Sequence, residues 1–171
     1  MLKIINNLKP FFEDCYRLIN VREYSRLRKI SPPTASKILK EYCKLGFLEQ
    51  EKDRNYHFFK ANISSRDFID LSRIYWRKKL ESLQTELQKK LMSPSAALFG
   101  SLSKAEAKIN SDMDIAIFSV ERKEINLKPY EEKLNRKISL YWFKSIESGD
   151  NHFLMNNIIN GYVLFGTLRL K

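Results

Sequence analysis

Residues 97–118 read Ala-Leu-Phe-Gly-Ser-Leu-Ser-Lys-Ala-Glu-Ala-Lys-Ile-Asn-Ser-Asp-Met-Asp-Ile-Ala-Ile-Phe. Ala96–Phe99 and Ile115–Phe118 are short apolar runs with the length and composition of buried strands. Gly100-Ser101 closes the first, and about ten residues later Asp112-Met113-Asp114 leads into the second. Side chains of a strand alternate faces, so Asp112 and Asp114 are expected to point the same way and share a divalent cation. Mg²⁺ (or Mn²⁺) takes oxygen ligands and commonly uses one or two carboxylates plus substrate phosphates. Gly100 lets the backbone approach a triphosphate. Ser101 is expected at the start of the next helix, offering a hydroxyl and N–H groups at the positive helix end. A Gly-Ser turn alone is common, and Asp-x-Asp alone is often a solvated strand start. It is the pair, at this spacing between apolar strands, that points to phosphoryl transfer, which needs positioning and charge neutralisation more than covalent help.

Upstream, Ser64 or Ser65 can cap a long helix over 64–91, with Phe68, Leu71, Ile74 and Tyr75 as an early apolar stripe. Leu80, Leu83, Leu87 and Leu91 form a later stripe. The helix reads as a connector; a homodimer seam is the alternative, and four leucines without a sustained heptad favour the connector. Pro94 marks the boundary that follows. Farther upstream, residues 1–19 carry helical apolar spacing with Pro10 as a break or first-turn residue. Asn20 and Glu23 open a second helix, with Tyr24 and Leu27 on one face; Ser31 and Pro32 open a third, which Gly46 stops. Ala35, Ile38, Leu39 and Tyr42 form that helix's apolar stripe. Leu48–Lys52 and Tyr56–Lys60 read as strands joined by the turn Asp53-Arg54-Asn55.

Helix, turn, helix, hairpin is the order of a winged helix-turn-helix, whose second helix enters the major groove. That helix would present Thr34, Ser36, Lys37, Lys40 and Lys44, and the hairpin would add Arg54, Tyr56 and His57. Charge agrees: residues 1–91 hold 20 Lys and Arg against 11 Asp and Glu, whereas residues 92–171 hold 11 against 9. A basic half joined to a near-neutral half suits a polyanionic partner, DNA or another nucleic acid. A winged helix used only for protein contacts is the alternative.

Composition excludes other classes. With 43% hydrophobic and 30% charged residues the chain is neither disordered nor membrane-spanning, and no apolar run reaches about 18 residues. The N-terminal stretch lacks a signal-peptide pattern, and Cys15 and Cys43 lack metal-knuckle spacing, so a reduced cytoplasmic setting is expected. His57 and His152 show no ligand spacing.

Two resemblances sharpen this. Val21-Arg22-Glu23-Tyr24, Ile30-Ser31-Pro32, Thr34-Ala35-Ser36-Lys37 and Arg54-Asn55-Tyr56 resemble archaeal winged-helix domains over about residues 14–62. Residues 97–118, with Asn157–Phe165 as a domain end, are similar to the minimal nucleotidyltransferases of the DNA polymerase beta superfamily over about 94–168. That resemblance implies an α+β chain: a winged helix at 1–63, a connecting helix at 64–93, and a nucleotidyltransferase domain at 94–171 with a mixed sheet flanked by helices. It implies that Gly100, Ser101 and Lys104 meet the nucleotide phosphates and that Asp112 and Asp114 ligate Mg²⁺ and are catalytic. Lys104-Ala105 stand where the family often has Arg-Gly, and Ala105 is expected to redirect the loop. The later strand, Arg136–Tyr141, places Ser139 where the family carries a further carboxylate, with Glu147 or Asp150 as substitutes. Tyr141, Trp142 and Phe143 read as core packing, with base stacking as the alternative.

The implied activity is transfer of a nucleoside monophosphate from an NTP, with ATP expected, to a hydroxyl on a protein or nucleic acid. The alternatives are a DNA-binding regulator with a degenerate transferase half, or an antitoxin-type partner of a helical toxin.

Overall fold

The computed structural model describes residues 3–54, 56–149 and 151–169. They form two compact units: residues up to Tyr75 with Ala105–Ile109, and Trp76–Lys104 with Asn110 onward.

The first unit opens with α1 (Lys3–Glu13), which carries Pro10 inside it rather than at a break. Five of its residues are buried, Phe11 and Phe12 completely, so tertiary burial holds the helix through the missing proline N–H. The short β1 (Ile19–Asn20) leads into α2 (Val21–Arg28), where the Asn20 side chain accepts the Glu23 N–H at 2.9 Å. Tyr24 faces the core, whereas Leu27 stays exposed. A left-handed Lys29 (φ 52°) ends α2. Ser31 then caps α3 (Pro32–Lys44), with proline at its start as the sequence predicts. Ala35, Leu39 and Tyr42 are buried and Ile38 is half-buried. The strands β2 (Leu48–Asp53) and β3 (Tyr56–Ala61) pair antiparallel from Leu48↔Ala61 to Asp53↔Tyr56, and β1 joins the far edge of β3. Arg54 sits in the tight connection at φ 51°. The expected turn residue Asn55 lies outside the described residues. Ala107 closes onto this unit through its carbonyl, which accepts the Cys15 N–H at 2.8 Å.

The long helix expected over 64–91 is instead two helices, α4 (Arg66–Lys79) and α5 (Glu81–Lys90). Ser65 supplies the cap, its Oγ accepting from the Phe68 N–H. Leu80 departs from helical geometry (φ −87°, ψ 1°), although its N–H still reaches the Trp76 carbonyl. The break follows from burial: Phe68 and Tyr75 serve the first unit's core, whereas Trp76, Leu80, Leu83, Leu87 and Leu91 are buried in the second unit's range. One straight helix cannot keep both stripes in phase. Because the later leucines are buried within the chain, they do not supply a dimer seam.

The second unit is built on a four-stranded sheet in the order β6-β5-β4-β7. Its strands are β4 (Ser95–Phe99), β5 (Met113–Phe118), β6 (Ile138–Phe143) and β7 (Tyr162–Phe165). β4 pairs antiparallel with β5 and β7, while β5 and β6 run parallel, so the sheet is mixed. The short α6 (Lys128–Leu134) precedes β6, and α7 (His152–Ile159) precedes β7. Ala97, Phe99, Ala116 and Phe118 pack with Met155 and Ile158 of α7. Asp114 pairs with Phe99 in register and so extends this α7-covered face to its end. No helix among the described residues is long and apolar enough to cross a membrane.

Candidate functional site

β4 ends at Phe99 and β5 begins at Met113, so antiparallel pairing brings Gly100 and the Asp-x-Asp segment to one end of the sheet. Gly100 has φ 71°, and a Cβ built there would lie 2.7 Å from Asp114 Oδ2. Only glycine allows the chain to turn this tightly over the carboxylate. Asp112 is exposed just before β5, and Asp114 is half-buried within it. Burial, then the charge of Asp112, raises the Asp114 pKa above the usual aspartate value; a hydrogen bond from Tyr141 works in the opposite direction. The two carboxylates are therefore near enough to repel. Among the described residues, neither forms an ion pair. An uncompensated carboxylate pair under a glycine bend fits a hard divalent cation that draws its other ligands from phosphates and water.

No third Asp, Glu, His or Cys among the described residues joins this pair. Ser139 lies directly opposite Asp114 in the parallel register, on the same face. Glu147 cannot substitute, because it follows Phe143 in the 3₁₀ turn Ile146–Ser148, at the far end of β6. Asp150 lies outside the described residues. A cavity of about 450 Å³ opens at that far end as well, among Phe118, Ser119, Lys144 and Leu168, and the paired aspartates are not part of it.

A family model described as polymerase beta, nucleotidyltransferase matches residues 81–168, slightly more than half of the chain. The chain belongs to the polymerase beta nucleotidyltransferase family. No curated protein and no solved structure matches it. The matched span starts at α5 and contains the whole sheet with its Gly-Ser and Asp-x-Asp segments.

Within the matched nucleotidyltransferase span, three expectations change. Ser101 does not start a helix: residues 101–105 form turns, held partly by the Ser103 hydroxyl donating to the Gly100 carbonyl at 2.9 Å. Phosphate binding there would use local N–H groups and hydroxyls, without a helix dipole. Ala105 does not deny the loop a glycine-like conformation, since it adopts φ 57° with its methyl group buried. That conformation costs an L residue about 1–2 kcal/mol. Tyr141 is not simply core: it is 36% exposed, its ring lies edge-on to Phe99 at 5.2 Å, and its hydroxyl is near enough to Asp114 to lower that carboxyl's pKa. Burial, then Asp114 and Asp112, raises its pKa, so it remains a donor. Strand alternation from Ser139 would have found Tyr141, had the register of β6 against Asp114 been readable.

Lys104 is half-buried and its Nζ donates to Asn157 Oδ1 on α7 at 2.9 Å. His57 is hydrogen-bonded to Gln50 on the hairpin, and His152 is exposed at the first turn of α7; neither belongs to a metal-binding cluster among the described residues.

In the first unit, Thr34, Lys37, Lys40 and Lys44 are exposed on α3 and Ser36 is half-buried. The Thr34 hydroxyl is engaged with the capping Ser31 Oγ at 2.8 Å. At the hairpin, Arg54 and Tyr56 are exposed, but β2 also exposes Glu49, Glu51 and Asp53. Lys60 bridges Glu49 and Glu51. These acidic residues are legible in the sequence as Glu49-Gln50-Glu51-Lys52-Asp53, and Lys60 offsets part of their charge.

Proposed function

We propose that the protein transfers a nucleoside monophosphate from an NTP, with ATP as the expected donor, to a hydroxyl on a protein or nucleic acid, releasing pyrophosphate. The observation that carries this reading is the unpaired couple Asp112 and Asp114 beneath Gly100, where a Cβ would come within 2.7 Å of Asp114. Asp112 and Asp114 would hold Mg²⁺ or Mn²⁺, which when bound neutralises phosphate charge and orients the leaving pyrophosphate. Gly100 keeps the approach open, while Ser101 and Lys104 offer a hydroxyl and an ammonium to the phosphates. Tyr141 lies near Asp114 and would steady its carboxylate by donating to it. The acceptor hydroxyl finds no carboxylate at Ser139, so its proton goes to water or to a base the acceptor brings. A general base typically contributes about 10²–10⁴-fold. In a loose transition state its loss slows transfer without abolishing it.

The first unit is read as a winged helix that binds DNA through α3. Support comes from the order of helices and strands and from Lys37 and Lys40, which are exposed and form no ion pair among the described residues. The acidic β2 makes the helix, rather than the body of the hairpin, the contact surface.

The test is incubation with α-labelled ATP and Mg²⁺, following label into protein and added nucleic acid. Wild type should transfer label and the double variant Asp112→Ala/Asp114→Ala should not; equal labelling would overturn the catalytic assignment. Ser139 favours a second reading, a DNA-binding regulator whose transferase unit binds nucleotide without turnover. Calorimetric nucleotide binding in a chain that transfers no label would select it.

A further inference from the structure

Asp112 differs from Asp114 in one mechanical respect. Asp114 is tied into the ladder of β5, whereas Asp112 precedes the strand and its side chain is exposed. A cation shared by the two needs both carboxylates in place at once. The backbone on either side of Asp112 is pinned by two consecutive residues. Arg136 Nη1 donates to the Ser111 carbonyl at 2.7 Å, and the Met113 N–H donates to the Lys137 carbonyl at 2.9 Å.

Arg136 is itself held firmly. It is only 8% exposed, its guanidinium lies over the Trp76 indole at 5.1 Å from the ring centroid, and Trp76 is 2% exposed. The Arg136 N–H also reaches the Glu131 carbonyl at the end of α6, and the Glu131 carboxylate accepts the Ile138 N–H at 2.8 Å. Burying a guanidinium is unfavourable, and an apolar side chain could cover the indole equally well. What an apolar side chain cannot do is grip the Ser111 carbonyl. The guanidinium does both at once: it lies over the ring while its Nη1 donates to the Ser111 carbonyl.

We propose that Arg136 is a positioning residue that holds Asp112 at the distance from Asp114 needed for a shared divalent cation. The inference rests on the metal-dependent reading above and adds to it a residue that touches neither nucleotide nor cation. Residues that orient metal ligands from behind typically change metal affinity by about 10–100-fold when lost.

The test is a Mn²⁺ titration of the full chain, with free Mn²⁺ read by electron paramagnetic resonance and no nucleotide present. Wild type, Arg136→Met, Arg136→Lys and Asp112→Ala are compared, each with its thermal melt. Arg136→Met should weaken Mn²⁺ binding about 10–100-fold. Arg136→Lys, which keeps one donor but loses the planar guanidinium over the ring, should weaken it less. Pyrophosphate release from ATP by Arg136→Met should recover at saturating Mn²⁺, because positioning changes the metal constant rather than the chemical step. Affinity within threefold of wild type in Arg136→Met overturns the assignment. Should that variant fail to fold, Arg136→Lys decides: weakening of threefold or more supports the clamp, and unchanged affinity overturns it. A wild type that binds Mn²⁺ through Asp112 but transfers no nucleotide refutes the transferase reading and leaves the clamp standing. Active wild type with an unaltered Arg136→Met does the reverse.

Discussion

Replacing Ser139 by Asp places a third carboxylate opposite Asp114. The parallel register Asp114↔Ser139 sets the two positions on neighbouring strands, on one face, about 5 Å apart. Without a cation, two unit charges at that distance repel by about 3 kcal/mol at an effective dielectric of about 20. Ser139 is only half-buried, so solvent screens part of this and about 1 kcal/mol is the working figure. For a chain of this size that lowers the metal-free melting temperature by about 2–4 °C. Saturating Mg²⁺ should reverse the loss, because the cation then bridges three carboxylates. The same substitution gives the acceptor hydroxyl a base, worth about 10²-fold at the low end of what general bases contribute, since the carboxylate also shares the cation. The assay pairs thermal melts with and without Mg²⁺ with pyrophosphate release from ATP, using water as acceptor. A metal-free melt equal to wild type, together with an unchanged rate, would mean that residue 139 does not face Asp114. The account of slow or lost catalysis would then fail.

Two further outcomes can be measured. Asp114 has a folded-state pKa raised above its ordinary 3.8, through burial and Asp112, so its contribution is complete below that value and is lost as pH rises through the higher folded-state pKa. Asp114→Asn should therefore stabilise the metal-free chain at neutral pH and lose this advantage near pH 3; melts across that range check it, and a pH-independent difference would contradict the burial argument. On α3, Lys37→Ala with Lys40→Ala should weaken DNA binding and flatten the salt dependence by close to two phosphate contacts, roughly 1.8 in the log–log slope; an unaltered slope moves the contact surface elsewhere.

Much of the local structure was legible from residue type and spacing. Asn20 and Ser31 cap their helices because a short side chain reaches the N–H groups two or three residues on, a relation internal to the segment. The Gly100 bend over Asp114 follows equally from local geometry. The misreadings also have physical causes. Ser101 was expected to start a helix, but the segment that follows turns instead, and Ala105–Ile109 belongs to the first unit. The 64–91 helix breaks at Leu80 because its two apolar stripes serve different cores.

The amino-acid order alone determined which residues could bind a cation or cap a helix, since those properties depend on neighbours a few positions away. Tertiary structure alone decided what stands beside Asp114. Parallel pairing of β5 with β6 brought Ser139 and Tyr141 to it, and the chain's return from α6 set Arg136 on Trp76 under the Ser111 carbonyl. The reason is that strand register and side-chain burial are settled by the packing of distant segments against one another, and no periodicity within a single segment records which partner it will meet.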